Sequence, residues 1–138
     1  FLLQIRGNKK LFVWDHLDRS VVTDEALELF HAMRTTKEVK FRPEFQTKAH
    51  EFDVSPGKGV YMPSTSPHSV INTGDISITM SFTFITERTQ KRAIVYTSNH
   101  MLRRRKIPIH PYGTSPWRDS LKCALFGPYL RTKGVLLS

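Results

Sequence analysis

The feature that most constrains the fold is a run of nine residues, 76–84 of the strand-like stretch 76–85, in which apolar and hydroxyl side chains alternate without interruption. The apolar set is Ile76, Ile78, Met80, Phe82 and Phe84, and the hydroxyl set is Ser77, Thr79, Ser81 and Thr83. A period of two is typical of a β-strand, whose successive side chains point to opposite faces of the sheet. Two interpretations follow. Either the hydroxyl face meets solvent, or the apolar face packs on helices while Thr79, Ser81 and Thr83 line a barrel that holds a polar ligand.

Shorter strand-like runs precede this one, and each is bounded by turn residues. They are residues 1–5, 10–14, 51–54, 60–62 and 68–71. Gly7 and Asn8 supply the positive backbone angles of a tight turn, which predicts a hairpin between residues 1–5 and 10–14. A second hairpin is predicted between residues 68–71 and 76–85, across the turn Asn72-Thr73-Gly74-Asp75.

Three helices are predicted from caps and apolar periodicity. Thr23 is a candidate N-cap, because Asp24 and Glu25 follow it at the positive end of the helix dipole. Residues 88–105 have helical composition. Ser115 and Pro116 suit the cap and first position of a last helix, which we expect to end at Gly127-Pro128.

Composition excludes several classes of protein. At 138 residues the chain is one domain or part of one, and it contains no apolar run of the length that spans a membrane. Its only cysteine, Cys123, excludes an internal disulfide framework and a thiolate zinc cluster, so any metal would use His and carboxylate ligands. The run before Arg6 is too short for a signal peptide, so a cytoplasmic location is expected.

The charge is +9, which makes nucleic acid a partner to consider. Much of it comes late, in Lys91, Arg92 and residues 103–106. An arginine-rich helix end is more often solvated than a recognition surface, so nucleic-acid binding is the weaker expectation.

Two segments carry a specific resemblance. They are Leu-Leu-Gln-Ile-Arg-Gly-Asn-Lys-Lys at residues 2–10, and Ser-Pro-Gly-Lys-Gly-Val-Tyr-Met-Pro at residues 55–63, followed by His68 and Ile-Ser-Ile-Thr-Met-Ser-Phe at residues 76–82. Together they resemble the cupin-like JmjC family of Fe(II)- and 2-oxoglutarate-dependent oxygenases, near its asparaginyl hydroxylase branch. The resemblance covers about residues 1–84 and extends more weakly to about residue 122. It implies a mainly β fold with additional helices: a double-stranded β-helix, or cupin jelly roll.

The family's residues can be carried over to three positions. His68 matches the distal histidine of the iron site, whose His-X-Asp partner pair is expected upstream of Phe1, so that the core would be N-terminally incomplete. Lys9 matches the basic residue that binds the distal carboxylate of 2-oxoglutarate. Ser81 matches a polar position near the same cosubstrate, where the family often has Asn. No catalytic residue is expected beyond the metal site, and the prime substrate, a protein or a small molecule, is not specified.

Several alternatives stay open. His68 alone is also consistent with a hydrogen-bonded turn histidine, and Lys9 with a turn lysine in water, beside the equally charged Lys10. His16 and Asp18 spell His-X-Asp, but their loop is not where the family places ligands, so we interpret the match as coincidence.

The organisation predicted from these patterns is one domain. Residues 1–87 would form the β-helix core, and residues 88–138 would form its C-terminal helical extension. The rival function is a non-catalytic cupin-fold binding or regulatory protein that contacts nucleic acid through the basic C-terminal helix. The last helix, with Trp117, Leu121 and Leu125, would pack on the barrel or form a homodimer surface.

Overall fold

The computed structural model describes residues 1–74 and 76–133. Asp75 of the second predicted turn and the last five residues of the predicted helical extension lie outside these ranges. Contacts divide the chain into two compact units. The first consists of Phe1–Val22 and Phe41–Phe84, and the second of Thr23–Lys40 and Ile85–Ser138. The contacts therefore group Thr23–Lys40 with the C-terminal helices, whereas the predicted domain boundary at residue 87 stays a prediction.

The first unit contains two antiparallel sheets of three strands each. The strands are β1 (Leu2–Arg6), β2 (Lys9–Val13), β3 (His50–Val54), β4 (Gly59–Val60), β5 (His68–Asn72) and β6 (Ile78–Ser81). We call the sheet with the order β4-β1-β6 sheet A and the sheet with the order β3-β2-β5 sheet B. Consecutive strands alternate between the sheets, except that β2 and β3 are neighbours in sheet B. A short 3-10 helix, Pro43–Lys48, precedes β3.

Both predicted hairpins are wrong, although all of their strands exist. β1 pairs with β4 and β6, whereas β2 pairs with β3 and β5. Gly7, at φ +75°, turns the chain out of sheet A and into sheet B. The physical reason is burial. Leu2 of β1 and Leu11 of β2 belong to one buried core between the two sheets, and a hairpin that placed both strands in the same sheet would prevent this packing.

The core of the first unit consists of Leu2, Leu11, Val13 and Val54, with Val60 and Met62 packed against it. On β1 and β2, side chains therefore alternate between this interior and the outer faces of the sheets. Cross-strand partners share a face, so the register fixes which residues of β3, β5 and β6 also face inward.

The described residues of the second unit form three helices, α1 (Asp24–Met33), α2 (Glu87–Arg104) and α3 (Pro116–Thr132). The predicted cap of α1 is confirmed, because the Thr23 hydroxyl accepts a hydrogen bond from the Ala26 N–H at 3.2 Å. A bidentate ion pair joins α1 to α2, with Arg103 donating to Glu28 at 2.9 and 3.1 Å.

The predicted end of α3 is wrong, because the helix continues through Gly127 and Pro128 to Thr132. Leu130 is buried against Ile94 of α2, and this packing is lost if the helix stops at Gly127. Burial of an apolar side chain outweighs a local breaker signal here.

The described chain is a mixed α and β protein, so the expectation of a mainly β fold is only partly confirmed. The three α-helices contain more residues than the six strands. Within residues 1–74 and 76–133, no helix has both the length and the apolar character needed to cross a bilayer.

Candidate functional site

Lys9 begins β2 and faces the space between the two sheets. Its position follows from the strand's alternation, because Lys9, Leu11 and Val13 are all buried, with Lys9 only 7% exposed. Val54 and Asn72 lie opposite it on β3 and β5. The alternative of a turn lysine in water is therefore excluded by its burial.

A directed chain of hydrogen bonds runs from Lys9 across to sheet A. The Lys9 ammonium donates to the Thr79 hydroxyl of β6, and that hydroxyl donates to Oε1 of Gln4 on β1 at 2.7 Å. We call these three residues the Lys9 network. Among the described residues, no carboxylate pairs with Lys9, so its positive charge is balanced by no fixed anion there.

Gln4 fixes the direction of this chain. Its Nε2 lies 2.6 Å from the Arg6 carbonyl oxygen, 3.0 Å from the Gly7 carbonyl oxygen and 3.0 Å from the Ser77 hydroxyl. Carbonyl oxygens only accept hydrogen bonds, so the amide nitrogen must face them and Oε1 must face Thr79. The Thr79 proton is thus committed to Gln4, which leaves an oxygen lone pair for Lys9.

Sequence reasoning did not identify Gln4 as a site residue. The available signal was its place in the buried period of β1, two residues after Leu2, where an uncharged polar side chain needs internal partners. Gln4 is fully buried in the structure.

Lys10 lies on the outer face of sheet B. It forms an ion pair with Glu51 and lies 3.7 Å from Asp53, and these carboxylates raise its pKa, chiefly through the Glu51 hydrogen bond. The two neighbouring lysines therefore differ in surroundings, and only Lys9 faces the interior.

Ser81 lies two residues beyond Thr79 on the same face of β6, opposite Leu2. It is exposed and makes no side-chain hydrogen bond within the described ranges. Thr79, rather than Ser81, is the residue of β6 in contact with Lys9. A role for Ser81 toward the cosubstrate stays a prediction.

His68 begins β5 at the edge of sheet B. Its Nδ1 lies 3.1 Å from the Ser66 carbonyl oxygen. Because a carbonyl can only accept, Nδ1 carries a proton, and the tautomer that this favours in a neutral ring leaves the lone pair on Nε2, as in metal-binding histidines. The turn before it holds Thr65 at φ +72°, a left-handed conformation that costs a threonine about 1 kcal/mol or more.

By register, His68 and Lys9 share one face of sheet B, on which Lys9 is buried and His68 is exposed. His68 lies opposite Val13, and Val13 is four residues beyond Lys9 on β2, which separates the two positions by about 13 Å along the strand. His50 lies opposite Val13 on the other neighbouring strand, so it shares this face as well. From the sequence, His50 was discounted as a ligand because it and its neighbour Glu51 point to opposite faces of a strand. Its place beside Val13, across from His68, depends on strand pairing.

Cavities adjoin both ends of this face. One of about 230 Å³ is lined by His50 and by the aromatic residues Trp14, Phe52 and Tyr61, together with Ser66 of the turn before His68. Another of about 270 Å³ reaches Lys9 and has a more polar lining. Its lining holds one carboxylate, Asp53, and two lysines, Lys9 and Lys58, together with Asn8, Val54, Ser55 and Thr73.

In the His16 and Asp18 pair, the Asp18 carboxylate is already bound by other residues. Asp18 accepts from the Ser20 N–H and hydroxyl and from Lys48, which lowers its pKa to about 2, with the Ser20 hydroxyl as the main cause. Within the described ranges, no three His, Cys, Asp or Glu residues are grouped closely enough to hold a metal ion.

Comparison of the chain with protein-family models, curated proteins and solved structures gave no match.

Proposed function

We propose that this chain is part of an Fe(II)- and 2-oxoglutarate-dependent oxygenase of the cupin-like JmjC type. The observation that carries the proposal is Lys9, whose buried ammonium faces the interior with a hydroxyl as its only hydrogen-bond partner in the described chain. A buried cation is costly unless it meets an anion. A dicarboxylate ligand would supply that anion, and Thr79 would help to orient it.

The strand arrangement supports the fold that this family uses. In a double-stranded β-helix, the chain passes repeatedly from one sheet to the other, and β3, β4, β5 and β6 do so in turn. We propose that the first unit is a jelly-roll core of this kind.

The described residues fit the cosubstrate better than they fit the metal. His68 is one ligand candidate, with its Nδ1 proton held by a carbonyl as metal-binding histidines usually have it. Within residues 1–74 and 76–133, no three His, Cys, Asp or Glu residues are grouped around it to hold a metal ion, so the proposed iron site requires ligands beyond these described residues. When bound, Fe(II) and 2-oxoglutarate supply the oxidising chemistry, in which O₂ delivers one oxygen atom to succinate and one to the substrate.

Lys9 gives a test of cosubstrate binding with a matched control beside it. Lys9→Met should weaken 2-oxoglutarate binding about 10-fold or more, because a hydrogen bond to a charged group is lost. Lys10→Met should leave binding unchanged, since Lys10 lies on the outer face. Titration calorimetry measures both variants, and a thermal melt checks that each is folded. Equal affinity in the two variants would remove Lys9 from the site.

His68 is tested by turnover in the longest natural form of the protein that contains this chain. With Fe(II) and 2-oxoglutarate supplied, succinate should form, and His68→Ala should abolish it together with iron retention. His110→Ala is the control, because that side chain is also exposed and lies outside the proposed site. No succinate from the unmodified protein would overturn the oxygenase proposal.

A second function is favoured by the charge of the C-terminal part. Residues 85–138 hold eleven of the 21 Lys and Arg residues but two of the 12 Asp and Glu residues. Some of this charge is paired internally, as in Lys91 with Glu87 and Arg103 with Glu28. A non-catalytic nucleic-acid-binding protein would show affinity for duplex DNA that falls steeply with salt, measurable by fluorescence anisotropy. Weak, salt-insensitive binding would remove this candidate.

A further inference from the structure

Two histidines lie on the same face of sheet B, on the strands that flank β2. His50 of β3 and His68 of β5 are both paired with Val13, so the three residues form one row across the sheet. Side chains in such a row point to the same face, and here it is the face on which Val13 is buried. Both histidines are exposed, and the His50 ring makes no hydrogen bond within the described ranges. The two rings can therefore approach each other above Val13.

The spacing of the strands suits a metal ion shared by the two rings. Neighbouring strands lie about 4.8 Å apart, so the Cβ atoms of His50 and His68, two strands apart, are separated by about 10 Å. A metal bound through Nε2 lies about 6 Å from the Cβ of its histidine, because the metal–nitrogen bond adds about 2 Å to the side chain. Two such lengths that span about 10 Å meet at an angle of roughly 110°, which is the tetrahedral value.

His68 already has the hydrogen bond that a metal-binding histidine usually makes. Its Nδ1 lies 3.1 Å from the Ser66 carbonyl oxygen, which holds the ring in one orientation and leaves Nε2 for the metal. The His50 ring has no such partner in the described chain, so it can rotate to complete the coordination. One ligand is thus fixed in advance and the other is adjustable.

The space beside His50 favours a cation. The cavity of about 230 Å³ adjoins Val13, His50 and Ser66, and its described lining includes the carboxylate of Asp15 but no lysine or arginine. The cavity that reaches Lys9 is lined by two lysines. In a chain of charge +9, a region without basic side chains is where a cation meets the least repulsion. The volume also leaves room for water molecules as further ligands.

We propose that His50 and His68 bind a divalent metal ion of the zinc type, and that two water molecules complete a tetrahedral site. Imidazole ligands and a tetrahedral angle favour Zn²⁺ over Mg²⁺ and Ca²⁺, which prefer oxygen ligands and higher coordination numbers. The site does not depend on the oxygenase proposal, whose iron site uses His68 without His50. Under that proposal, zinc and iron would compete for His68.

Titration calorimetry with ZnCl₂ tests both ligands. His50→Ala and His68→Ala should each weaken zinc binding at least about tenfold, the loss caused even by removing an outer partner of a metal ligand. His110→Ala is the control, because it removes an exposed imidazole of the second unit. A thermal melt without zinc checks that each variant is folded.

Two calorimetric results would overturn the proposal. One is the absence of zinc binding, and the other is zinc binding that His50→Ala leaves unchanged. The second result would mean that zinc is held by His68 and other residues. Either result leaves the oxygenase proposal standing, because that proposal is decided by succinate formation and gives no role to His50.

Co²⁺ as a substitute for Zn²⁺ tests the geometry. Tetrahedral Co²⁺ absorbs visible light much more strongly than octahedral Co²⁺, so coordination geometry can be determined from the spectrum. The unmodified protein with CoCl₂ should show strong visible absorption that ZnCl₂ removes, whereas His50→Ala should not. A weak, octahedral spectrum of the unmodified protein would refute the tetrahedral site.

Discussion

At the residue scale, the Lys9 network shows how hydrogen bonds fix the position of a buried ammonium group. Lys9 donates to Thr79, Thr79 donates to Gln4, and Gln4 is anchored by two backbone carbonyls. The Thr79 proton has one available direction, and one of the three ammonium protons of Lys9 is directed at the Thr79 oxygen, so the network holds Lys9 in position without a ligand. Such preorganisation lowers the cost of binding.

Thr79 is the residue by which to test this role. Thr79→Val keeps the shape of the side chain and removes both hydrogen bonds, so 2-oxoglutarate affinity should fall about 5- to 10-fold. Thr79→Ser keeps the hydroxyl and should bind nearly as well as the unmodified protein. Calorimetric titration of both variants makes the comparison. If Thr79→Ser bound as weakly as Thr79→Val, packing rather than the hydroxyl would be responsible.

His31 gives the second unit a dependence on pH. Its ring lies between Phe30 and Tyr96, stacked on Tyr96 at 5.4 Å, and its Nε2 has no hydrogen-bond partner in the described part of the chain. Burial lowers its pKa from 6.5 to about 4, with the positive charges of Arg92 and Arg34 adding to the effect. Folding therefore favours the neutral ring.

The consequence for stability has a definite sign. Above pH 6.5, His31 is neutral in both states and contributes no pH dependence. Between pH 6.5 and 4 the unfolded chain binds a proton that the folded chain does not, so the free energy of unfolding should drop by about 3 kcal/mol. His31→Phe keeps the stacked ring and should remove this part of the loss. Urea unfolding at pH 7 and pH 4.5 compares the two, and identical losses would contradict the assignment.

At the element scale, the passage from β1 to β2 depends on Gly7. A Cβ at this position would collide with the Ile76 carbonyl oxygen, and the positive φ of +75° adds strain for any other residue. Gly57 has a similar φ of +82° but open space around it. Comparing alanine substitutions at the two glycines therefore separates the free-energy cost of the positive φ from the cost of the collision.

We expect Gly57→Ala to cost about 1 kcal/mol of stability and Gly7→Ala clearly more. Chemical denaturation of both variants gives the two values. Similar losses would mean that the β5–β6 connection moves aside at little cost, and that Gly7 is needed only for its dihedral angles.

The strands and helices were predictable because their signals are local, but the pairing of strands was not. The alternation in residues 76–84 and the Thr23 cap involve only residues close together in the sequence. Whether β1 pairs with β2 depends on which apolar faces pack against each other. The sequence shows that each strand has an apolar face, but it does not show which surface that face covers. Lys9 was predictable as a candidate, whereas Gln4 became visible only when β6 was placed beside β1.

At the scale of the whole molecule, the two sheets of the first unit each have one protected and one open edge. β3 carries Glu51 and Asp53 at the edge of sheet B, and β4 is only two residues long at the edge of sheet A. β5 and β6, at the other two edges, contain no charge and no proline. Uncharged, exposed edges accept further strands and promote aggregation.

Charge on the open edge should therefore raise solubility. Ile71→Glu adds a carboxylate to β5 opposite Lys10, where it forms a favourable pair without disturbing the core. Light scattering during slow heating should show a later onset of aggregation than for the unmodified protein. Ile107→Glu, at an exposed residue outside the sheets, is the control for the change in net charge. An equal delay in both variants would show that the edge is not responsible.

If the Lys9 network binds a dicarboxylate, it also affects how fast the protein is degraded in a cell. Lys9 belongs to one sheet and Thr79 to the other, so a dicarboxylate bound by both would hold the two sheets together. Ligands that bind only the closed form reduce the fraction of molecules open to proteases. On the proposed function, the half-life of this protein would rise and fall with the metabolic supply of its cosubstrate, and its abundance would follow nutrient status without any change in its synthesis.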